Sequence, residues 1–266
     1  MQLDGKIIVL TGASSGIGAA LALALAGRGA RLMLAARDGA RLAQVADACA
    51  QLGARAVSQV TDVAQAGDCR ALIDRTLAEF GGLDVLVNNA GSTMWSRFDA
   101  LSDLAIFEQL MKVNYLGAVH LTHRALPALK AAHGLVVAVA SVAGFTGVPE
   151  RTGYTASKHA MVGFFESLRI ELEGTGVDIS IVAPDFVVSE VHKRAIGPDG
   201  KPLGVSPMQT ARIMTAEECA ARIVRAIEGR RRLVIMSARG RLGRWLKLIA
   251  PKLIDRIAAN AIRRRY

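Results

Sequence analysis

Short runs of apolar residues alternate along this chain with longer stretches of helical periodicity. The short runs are apolar at consecutive positions, as in strands covered by helices on both faces of a sheet. They predict strands at 6–11, 31–36, 55–60, 84–88, 135–140, 178–183 and 232–237. The longer stretches predict helices near 16–28, 38–52, 67–80, 103–131, 153–174 and 216–228. The last of these opens with a capping box formed by Thr215 and Glu218.

This alternation predicts an α/β fold with a doubly wound parallel sheet, because strand–helix–strand units form right-handed parallel crossovers. We expect one domain at 1–238 and a helical tail at 239–266. The stretch 185–214 contains three prolines and three glycines between the sixth strand and the capped helix. It predicts a mobile insertion at that point.

Composition excludes a disordered chain, since 52% of the 266 residues are hydrophobic and 21% are charged. The three cysteines, Cys49, Cys69 and Cys219, form no C-x-x-C motif and no metal-ligand cluster. We therefore expect buried, reduced thiols, no metal site and a cytoplasmic location.

The 21 uncharged residues between Lys6 and Arg28 imitate a membrane span. A polar, glycine-rich turn in the middle favours a strand, a turn and a buried helix instead.

The net charge of +10 is concentrated at the end of the chain. Residues 229–266 contain 12 Lys and Arg and one acid, Asp255, whereas residues 1–228 carry a net charge of −1. The body therefore gives no indication of nucleic-acid binding, and the tail needs its own explanation.

The tail segment 240–265 has an amphipathic helical pattern, which we expect Pro251 to kink. Two interpretations remain open. The tail packs on its own body or on a second subunit, or it lies on an anionic membrane surface with Trp245 at the interface. A nucleic-acid role is not favoured, because no aromatic residues are interleaved with the charges. The apolar face comprises Leu242, Trp245, Leu246, Ile249, Leu253 and Ile257.

The first predicted strand leads directly into the glycine-rich turn TGASSGIG at 11–18, and a helix follows. A unit of this kind presents backbone N–H groups and a positive helix end to a pyrophosphate. The alternative is a glycine-rich turn that only packs a helix on a strand. The candidate phosphate-binding residues are Gly12, Ser14, Ser15, Gly16, Ile17 and Gly18.

The ends of the next two strands bear on which cofactor is bound. The second strand ends in Ala36 and Arg37, where an acid would favour NAD(H) and an arginine favours the 2′-phosphate of NADP(H). We therefore expect NADP(H), unless Arg37 only faces solvent. Asp62 follows the third strand and either meets the adenine amine or caps a turn.

Tyr154 and Lys158 are spaced i, i+4 on a predicted helix and therefore share one face. An ammonium near a phenol favours the phenolate, so this tyrosine can exchange a proton with a carbonyl or hydroxyl oxygen. Ser141 follows the fifth strand at the carboxyl edge of the sheet, where open α/β sheets bind ligands. Asn114 lies inside a predicted helix, where an asparagine is more often solvated or bonded back to the helix.

The chain resembles the short-chain dehydrogenase/reductase family over residues 4–238. The motifs that match in order and spacing are TGASSGIG at 11–18, Asp62-Val63, NNAG at 88–91, Asn114, Ser141 and Tyr154-x-x-x-Lys158. The resemblance implies a single Rossmann-like domain with a seven-stranded sheet in the order 3-2-1-4-5-6-7. It implies Tyr154 as the acid/base, Lys158 as its tuning residue and Ser141 as the residue that orients substrate. It also implies that Asn114 holds a water in a proton relay through Lys158.

The same resemblance implies the cofactor contacts, and Arg37 matches NADP-preferring members. Two positions depart from the family pattern. Asp185 stands where a glycine is usual, and it either aims at solvent or shapes a polar substrate contact. Ser189 stands where a threonine is expected to hold the carboxamide. The cofactor-binding residues so implied are Gly12, Ser14, Ser15, Gly16, Ile17, Gly18, Arg37, Asp62, Val63, Asn88, Ala90, Gly91, Tyr154, Lys158, Pro184, Val187 and Ser189.

The sequence thus predicts an NADP(H)-dependent oxidoreductase that interconverts a carbonyl and an alcohol on a small molecule. A tail that lies on a membrane would suit a hydrophobic substrate. We expect a homo-oligomer. The alternative is a cofactor-sensing scaffold that docks on a membrane or a partner through its basic tail. The intact set of Ser141, Tyr154 and Lys158 argues against a pure sensor, which has no need of an acid/base group.

Overall fold

Seven parallel strands form one sheet in the computed structural model, which describes residues 1–188, 192–205 and 213–263. The strand order is β3-β2-β1-β4-β5-β6-β7, which confirms the predicted sheet. Each predicted strand is present, with ends shifted by no more than two residues. The strands are β1 Ile7–Thr11, β2 Arg31–Ala36, β3 Ala56–Val60, β4 Val85–Asn88, β5 Leu135–Val139, β6 Asp178–Ala183 and β7 Leu233–Ile235.

Helices connect the strands and cover both faces of the sheet. The helix predicted over 103–131 is two helices joined by a π-helical turn at Lys112–Leu116. The predicted capping box is present at the start of α7, where Thr215 Oγ1 accepts from the backbone N–H of Glu218. The helices are α1 Gly16–Ala26, α2 Gly39–Gln51, α3 Ala66–Phe80, α4 Ala105–Met111, α5 Gly117–Ala131, α6 Thr152–Glu171, α7 Ala216–Glu228, α8 Ala238–Ile249 and α9 Pro251–Arg263.

The two faces of the sheet belong to two separate apolar cores. In β1, Ile8 and Leu10 join the core that includes α1, α2 and α7. Ile7 and Val9 join the core that includes α3, α5 and α6. Successive side chains of a strand point to opposite faces, so a strand buried on both faces is apolar at every position. This is why the strands could be predicted from short, uninterrupted apolar runs.

The strand order reverses between the parallel neighbours β1 and β4, because the chain leads from β1 to β2 on one side of the sheet and from β4 to β5 on the other. Open α/β sheets bind ligands in the crevice at the carboxyl ends of strands that flank such a reversal. The fold therefore places a ligand crevice beside the glycine-rich turn and the NNAG run at 88–91.

The segment 192–205 of the insertion is tied to the segment that follows β4. Trp95 donates its backbone N–H to the carbonyl of Ile196 (2.9 Å), and Ile196 donates to Thr93 (3.0 Å). Met94, Leu110 and Ile196 form part of a small satellite core against which Tyr154 packs. Part of the predicted mobile insertion is thus paired with the chain near the predicted site.

The tail consists of two helices, as the predicted kink at Pro251 requires. Ser237 caps α8 by accepting from the backbone N–H of Gly240 (3.0 Å), and Pro251 begins α9 after Ala250.

The uncharged segment near the start of the chain forms β1, the turn and α1. In the described ranges, none of the helices combines the length and the hydropathy needed to cross a bilayer. Cys49, Cys69 and Cys219 are buried and free, as predicted.

Candidate active site

A cleft runs along the carboxyl ends of the strands, where the sheet topology predicts a ligand crevice. The phosphate-binding turn, the end of β2, the loops after β3 and β4, and the start of α6 all contribute to its walls. It therefore brings together most of the predicted site residues. Those that line it are Gly12, Ser14, Ser15, Gly16, Ile17, Gly18, Arg37, Asp62, Val63, Ala90, Gly91, Ser141, Tyr154, Lys158, Pro184 and Val187.

The glycine-rich turn requires glycine at specific positions. Gly12 and Gly16 have φ angles of 66° and 54°, in the left-handed region that other residues rarely adopt. A Cβ on Gly18 would lie 2.0 Å from the carbonyl oxygen of Gly12. Ser15 makes no side-chain cap on α1, and the first turn of that helix has no acidic residue. The N–H groups at this helix end therefore suit an anion, and the turn fits a dinucleotide pyrophosphate.

Asn89 links the loop after β4 to this turn, a role that the sequence reasoning missed. Its Nδ2 donates to the carbonyl oxygens of Thr11 (2.9 Å) and Gly12 (3.3 Å). Thr11 Oγ1 in return accepts from the backbone N–H groups of Asn89 and Ala90, both at 3.0 Å. The NNAG run itself was the available signal, but it does not show which asparagine does this.

Asn88 was predicted to line the cofactor cleft, and the structure corrects this prediction. Its side chain is buried and donates from Nδ2 to Thr122 Oγ1 on α5 (3.1 Å). Asn88 is the last residue of β4, and successive side chains of a strand point to opposite faces. The cleft-lining side chain is therefore that of Asn89, one position later.

The two residues expected near the adenosine lie at the cleft. Arg37 is exposed at the end of β2 and lines the cleft. Asp62 Oδ1 accepts from the backbone N–H of Ala64 (3.0 Å), so the carboxylate caps a turn, as one of the two alternatives proposed. Asp62 also lines the cleft, and its position is therefore compatible with both alternatives.

Lys158 is almost completely buried on α6, one helical turn after Tyr154. Its Nζ donates to the carbonyl oxygen of Val139 (2.9 Å) and lies 5.9 Å from the centre of the Tyr154 ring. Burial lowers the pKa of Lys158, and the charge of a Tyr154 phenolate opposes that effect. Lys158 therefore has its buried ammonium hydrogen-bonded close to the Tyr154 ring.

Ser141 follows β5 and caps the short 3₁₀ turn at Val142–Gly144. Its Oγ accepts from the backbone N–H of Ala143 (3.2 Å) and donates to the carbonyl of Pro184 (3.4 Å). These bonds hold the hydroxyl at the cleft, on the side where the loop after β6 begins.

Asn114 lies in the π-helical turn and is only 1% exposed. It is neither solvated nor bonded back to its helix. Its Oδ1 accepts from the backbone N–H of Ser92 (2.8 Å), and its Nδ2 donates to the Ser92 carbonyl and to Ser157 Oγ, both at 2.9 Å. Ser157 Oγ in turn donates to the carbonyl of Tyr154 (2.8 Å). Asn114 thus ties the loop after β4 to α6, and the proton relay stays a prediction.

Arg151 forms a wall of the cleft that the sequence reasoning missed. It is buried, and its Nη2 donates to Thr93 Oγ1 (2.6 Å). Its guanidinium carbon lies 4.6 Å from the ring centre of Tyr154, 5.0 Å from that of Trp95 and 5.7 Å from that of Phe186. Arginines are mostly exposed, so nothing in the sequence pattern indicated this cluster.

Asp185 does not aim at solvent, since its side chain is 14% exposed, whereas the expected polar substrate contact stays a prediction. Both carboxylate oxygens bind Arg239 of α8, at 2.6 and 2.7 Å, and Oδ2 also accepts from Ser237 Oγ (2.6 Å). Burial alone would raise the pKa of Asp185, but the hydrogen bonds from Arg239 and Ser237 hold it below its usual value. The residue therefore anchors the tail to the rim of the cleft. Ser189 lies outside the described residues.

Comparisons with known proteins agree with this geometry. The family model described as short chain dehydrogenase matches residues 6–197. The 11-beta-hydroxysteroid dehydrogenase 1A of Arabidopsis thaliana is 38% identical over 264 residues, which cover 96% of this chain and 74% of that protein. The Dehydrogenase/reductase SDR family protein 7-like of Dictyostelium discoideum is 34% identical, with 94% and 79% of the two chains covered.

Two solved structures share the fold over most of the chain. A short-chain dehydrogenase/reductase from Burkholderia phymatum in complex with NAD superposes with a TM-score of 0.84 at 28% identity, covering 95% of this chain and 96% of that one. An alcohol dehydrogenase from Thermococcus sibiricus complexed with 5-hydroxy-NADP gives 0.75 at 27% identity, with 88% and 95% covered. Together with the extent of the family match, these similarities show that the chain belongs to the short-chain dehydrogenase/reductase family of nicotinamide-dependent oxidoreductases.

Proposed function

We propose that the protein is an NADP(H)-dependent reductase that converts an apolar ketone to the corresponding alcohol, and that it also catalyses the reverse reaction. The observation that carries this proposal is the meeting of Ser141, Tyr154 and Lys158 at one cleft with the uncapped start of α1. The cleft can therefore hold a dinucleotide at the start of α1, and Tyr154 can serve there as the proton donor to a substrate.

The preference for NADP(H) rests on Arg37. This guanidinium is exposed at the end of β2 and lines the cleft, where a 2′-phosphate on the adenosine ribose would meet it. A planar guanidinium binds phosphate oxygens through two parallel hydrogen bonds. The two structural relatives carry NAD and a derivative of NADP, so both cofactor types occur on this architecture.

A nicotinamide cofactor, when bound, supplies the hydride for reduction. Tyr154 gives its phenolic proton to the substrate oxygen as that oxygen gains negative charge, and the Ser141 hydroxyl donates a hydrogen bond to the same atom. The buried ammonium of Lys158 stabilises the phenolate that remains. The bonds of Asn114 to Ser92 and Ser157 hold the start of α6, and with it Tyr154, against the loop after β4.

An apolar substrate is supported by the walls of the cleft and by the relatives. Val142, Val148 and Phe186 are among the residues that line the cleft. Several relatives bear the name 11-beta-hydroxysteroid dehydrogenase, and we extend to this chain the class of substrate that the name implies, a bulky apolar alcohol or ketone. The alternative of a cofactor-sensing scaffold draws no support from these relatives, whose names are those of dehydrogenases. Three buried free thiols support a reducing cytoplasmic location.

The test is turnover of a substrate panel with each cofactor. Steroid ketones, smaller apolar ketones, aldehydes and alcohols are offered with NADPH or NADP⁺ and with NADH or NAD⁺, and initial rates are measured. We expect a higher kcat/KM with the phosphorylated cofactors and with bulky apolar ketones. NADPH binding without turnover of any member of the panel would overturn the enzymatic proposal in favour of the sensor.

A further inference from the structure

The tail helices α8 and α9 expose large apolar side chains that the body of the protein does not cover. In α8, Leu242, Trp245 and Ile249 are spaced i, i+3 and i+7, so they lie on one face. They are 66%, 64% and 81% exposed. In α9, Leu253 and Ile257 lie one turn apart and are about half exposed, at 45% and 53%. Clustered exposed apolar groups of this size mark a surface that binds something.

The charge of the same helices indicates what covers this face. Residues 238–263 contain seven Lys and Arg and a single acid, Asp255. A second copy of the tail would bring an equally basic surface against the first, and like charges repel. Lys252 and Arg256 are exposed in α9, next to Leu253 and Ile257 along the helix. Apolar residues combined with basic ones are the pattern of helices that lie in an anionic membrane surface.

We propose that α8 and α9 form an anchor on an anionic lipid bilayer, with Trp245 and the exposed Leu and Ile side chains at the boundary between headgroups and acyl chains. Tryptophan suits that depth because its ring is apolar and its N–H is polar. Lys252 and Arg256 meet the lipid phosphates and carboxylates. The protein then lies on the membrane and does not span it.

The anchor is fixed to the rim of the candidate active site. Arg239 holds Asp185, which lines the cleft, through two hydrogen bonds. Lys247 Nζ donates to the carbonyl oxygen of Phe145 (3.2 Å), four residues after Ser141. The Arg244 guanidinium carbon lies 5.4 Å from the centre of the Phe145 ring. A bilayer bound to α8 is therefore close to the cleft. Given the proposed function, an apolar substrate would reach the site from the membrane.

The anchor is tested by vesicle binding, with the full-length chain and no cofactor or substrate. The probes are phosphatidylcholine vesicles and mixed phosphatidylcholine–phosphatidylserine vesicles, in a sedimentation assay. We expect partitioning into the mixed vesicles to exceed that into phosphatidylcholine by at least about tenfold at 0.1 M salt, since each basic residue near the surface contributes appreciably. The preference should vanish near 1 M salt, where screening acts within about 3 Å.

Two double variants separate the apolar and the charged contributions. Trp245→Ser with Ile249→Ser should lower partitioning by more than about tenfold, and the matched control Ile170→Ser, at a 71% exposed position on α6, should leave it unchanged. Lys252→Glu with Arg256→Glu should abolish the preference for phosphatidylserine. Its control is Arg70→Glu with Arg75→Glu, two exposed positions on α3. All of these positions are exposed, so each variant should fold.

Trp245 also reports on its own environment, because Trp95, the second tryptophan of the chain, is buried. The fluorescence emission of Trp245 should shift to shorter wavelength with mixed vesicles and be quenched by brominated lipid.

Three outcomes would overturn the proposal. The protein does not bind vesicles, or the apolar variants dissociate an oligomer in analytical ultracentrifugation. In the third, duplex DNA displaces the protein from vesicles and the apolar variants have no effect on binding. None of these readouts depends on turnover, so they are independent of the proposed function.

Discussion

At the scale of single residues, Tyr154 and Lys158 set what the cleft can do. Lys158 has its ammonium held by the Val139 carbonyl, and burial lowers its pKa. A buried ammonium is costly unless it is paired or hydrogen-bonded. In the proposed reduction, Tyr154 would become negatively charged on giving up its proton, and the ammonium of Lys158 would then have such a charge partner.

Replacement of Tyr154 by phenylalanine removes the proton donor and keeps the ring against Arg151. We expect kcat to fall by about 10²–10⁴-fold, because the proton is needed chiefly in the transition state. The dissociation constant of NADPH, measured by fluorescence titration, should stay within about twofold of the wild-type value. A variant that keeps near-wild-type kcat would show that another group supplies the proton.

The replacement Arg37→Asp tests the basis of cofactor choice. A carboxylate at the end of β2 repels a 2′-phosphate and accepts hydrogen bonds from the ribose hydroxyls. The ratio of kcat/KM for NADPH to that for NADH should fall by at least about tenfold, a change of about 1.4 kcal/mol in transition-state stabilisation. Arg75→Asp on α3 makes the same charge change at an exposed position away from the cleft and should leave the ratio unaltered. An unaltered ratio in Arg37→Asp itself would make Arg37 a surface residue.

At the scale of elements, the site depends on how closely the turn after β1 approaches its neighbours. A Cβ on Gly12 would lie 2.8 Å from the Cα of Ala90, and one on Gly18 would lie 2.0 Å from the Gly12 carbonyl oxygen. The turn, the start of α1 and the NNAG loop therefore pack as one unit. The hydrogen bonds that Asn89 donates to Thr11 and Gly12 hold this unit together.

Gly18→Ala should therefore disrupt the turn. The added methyl group collides with backbone, which cannot move as a side chain does, so we expect NADPH affinity to fall by more than about tenfold, or about 1.4 kcal/mol. Gly163→Ala on the exposed face of α6 is the control, because a Cβ there would have no atom within 4 Å. That change should raise the free energy of unfolding by up to about 1 kcal/mol and leave affinity intact. Isothermal titration calorimetry and urea unfolding measure both effects.

The link between β6 and α8 gives a prediction about the tail. Asp185→Asn weakens the pairing with Arg239. Because Arg239 is largely exposed and solvent screens the pair, we expect the free energy that holds α8 in place to fall by about 1 kcal/mol. Amide hydrogen exchange in α8 should accelerate by roughly fivefold at neutral pH. Asp178→Asn, at the other end of β6 and paired with Arg230, should leave α8 exchange unchanged. Equal exchange in Asp185→Asn and the wild type would show that this pair does not hold α8.

The pH dependence of the same contact follows from the direction of the shift. The pKa of Asp185 is lower in the folded protein than in the unfolded chain, where it is about 3.9. The contribution of ionised Asp185 to the stability of the folded protein is therefore fully present above about pH 4. It is lost as the pH falls through the pKa that Asp185 has in the folded protein. The protection factors of α8 amides, which compare each rate with the intrinsic rate at the same pH, should therefore be higher in the wild type than in Asp185→Asn at neutral pH. The two proteins should give equal protection factors only in acid.

At the scale of the whole molecule, the tail contributes little to the apolar cores that stabilise the sheet. Gly240 is the one described residue of α8 and α9 that is buried, whereas the strands and α1 to α7 supply the two large cores. Most of the hydrophobic free energy of folding therefore comes from residues before α8.

A chain that ends after Arg239 should therefore fold. We expect its free energy of unfolding to fall by less than about 2 kcal/mol, which lowers Tm by under about 8 °C for a protein of this size. It should keep turnover of a small water-soluble ketone. A chain that ends after Arg231 also lacks the edge strand β7 and the buried residues Ile235 and Met236, and it should unfold or aggregate. Loss of the sheet in the longer truncation, followed by circular dichroism, would show that the tail is part of the folding unit.

The amino-acid sequence alone was sufficient to predict the sheet, the turn at 11–18, the pair Tyr154 and Lys158, and the break at Pro251. These features depend on local periodicity, on glycine and proline geometry or on spacing along one helix, all of which are written within a few neighbouring residues. The family resemblance added the strand order, because the order reflects a whole fold that no short pattern encodes.

Tertiary structure alone decided which of two adjacent asparagines faces the cleft, because one step along the chain at the end of β4 reverses the side-chain direction. It paired Asp185 with Arg239, 54 residues apart, and buried Arg151 against three aromatic rings. It also placed Asn114 in a π-helical turn, where its bonds go to Ser92 and Ser157. Each of these contacts joins segments that meet only after folding, so their partners are fixed by the approach of whole elements and not by local pattern.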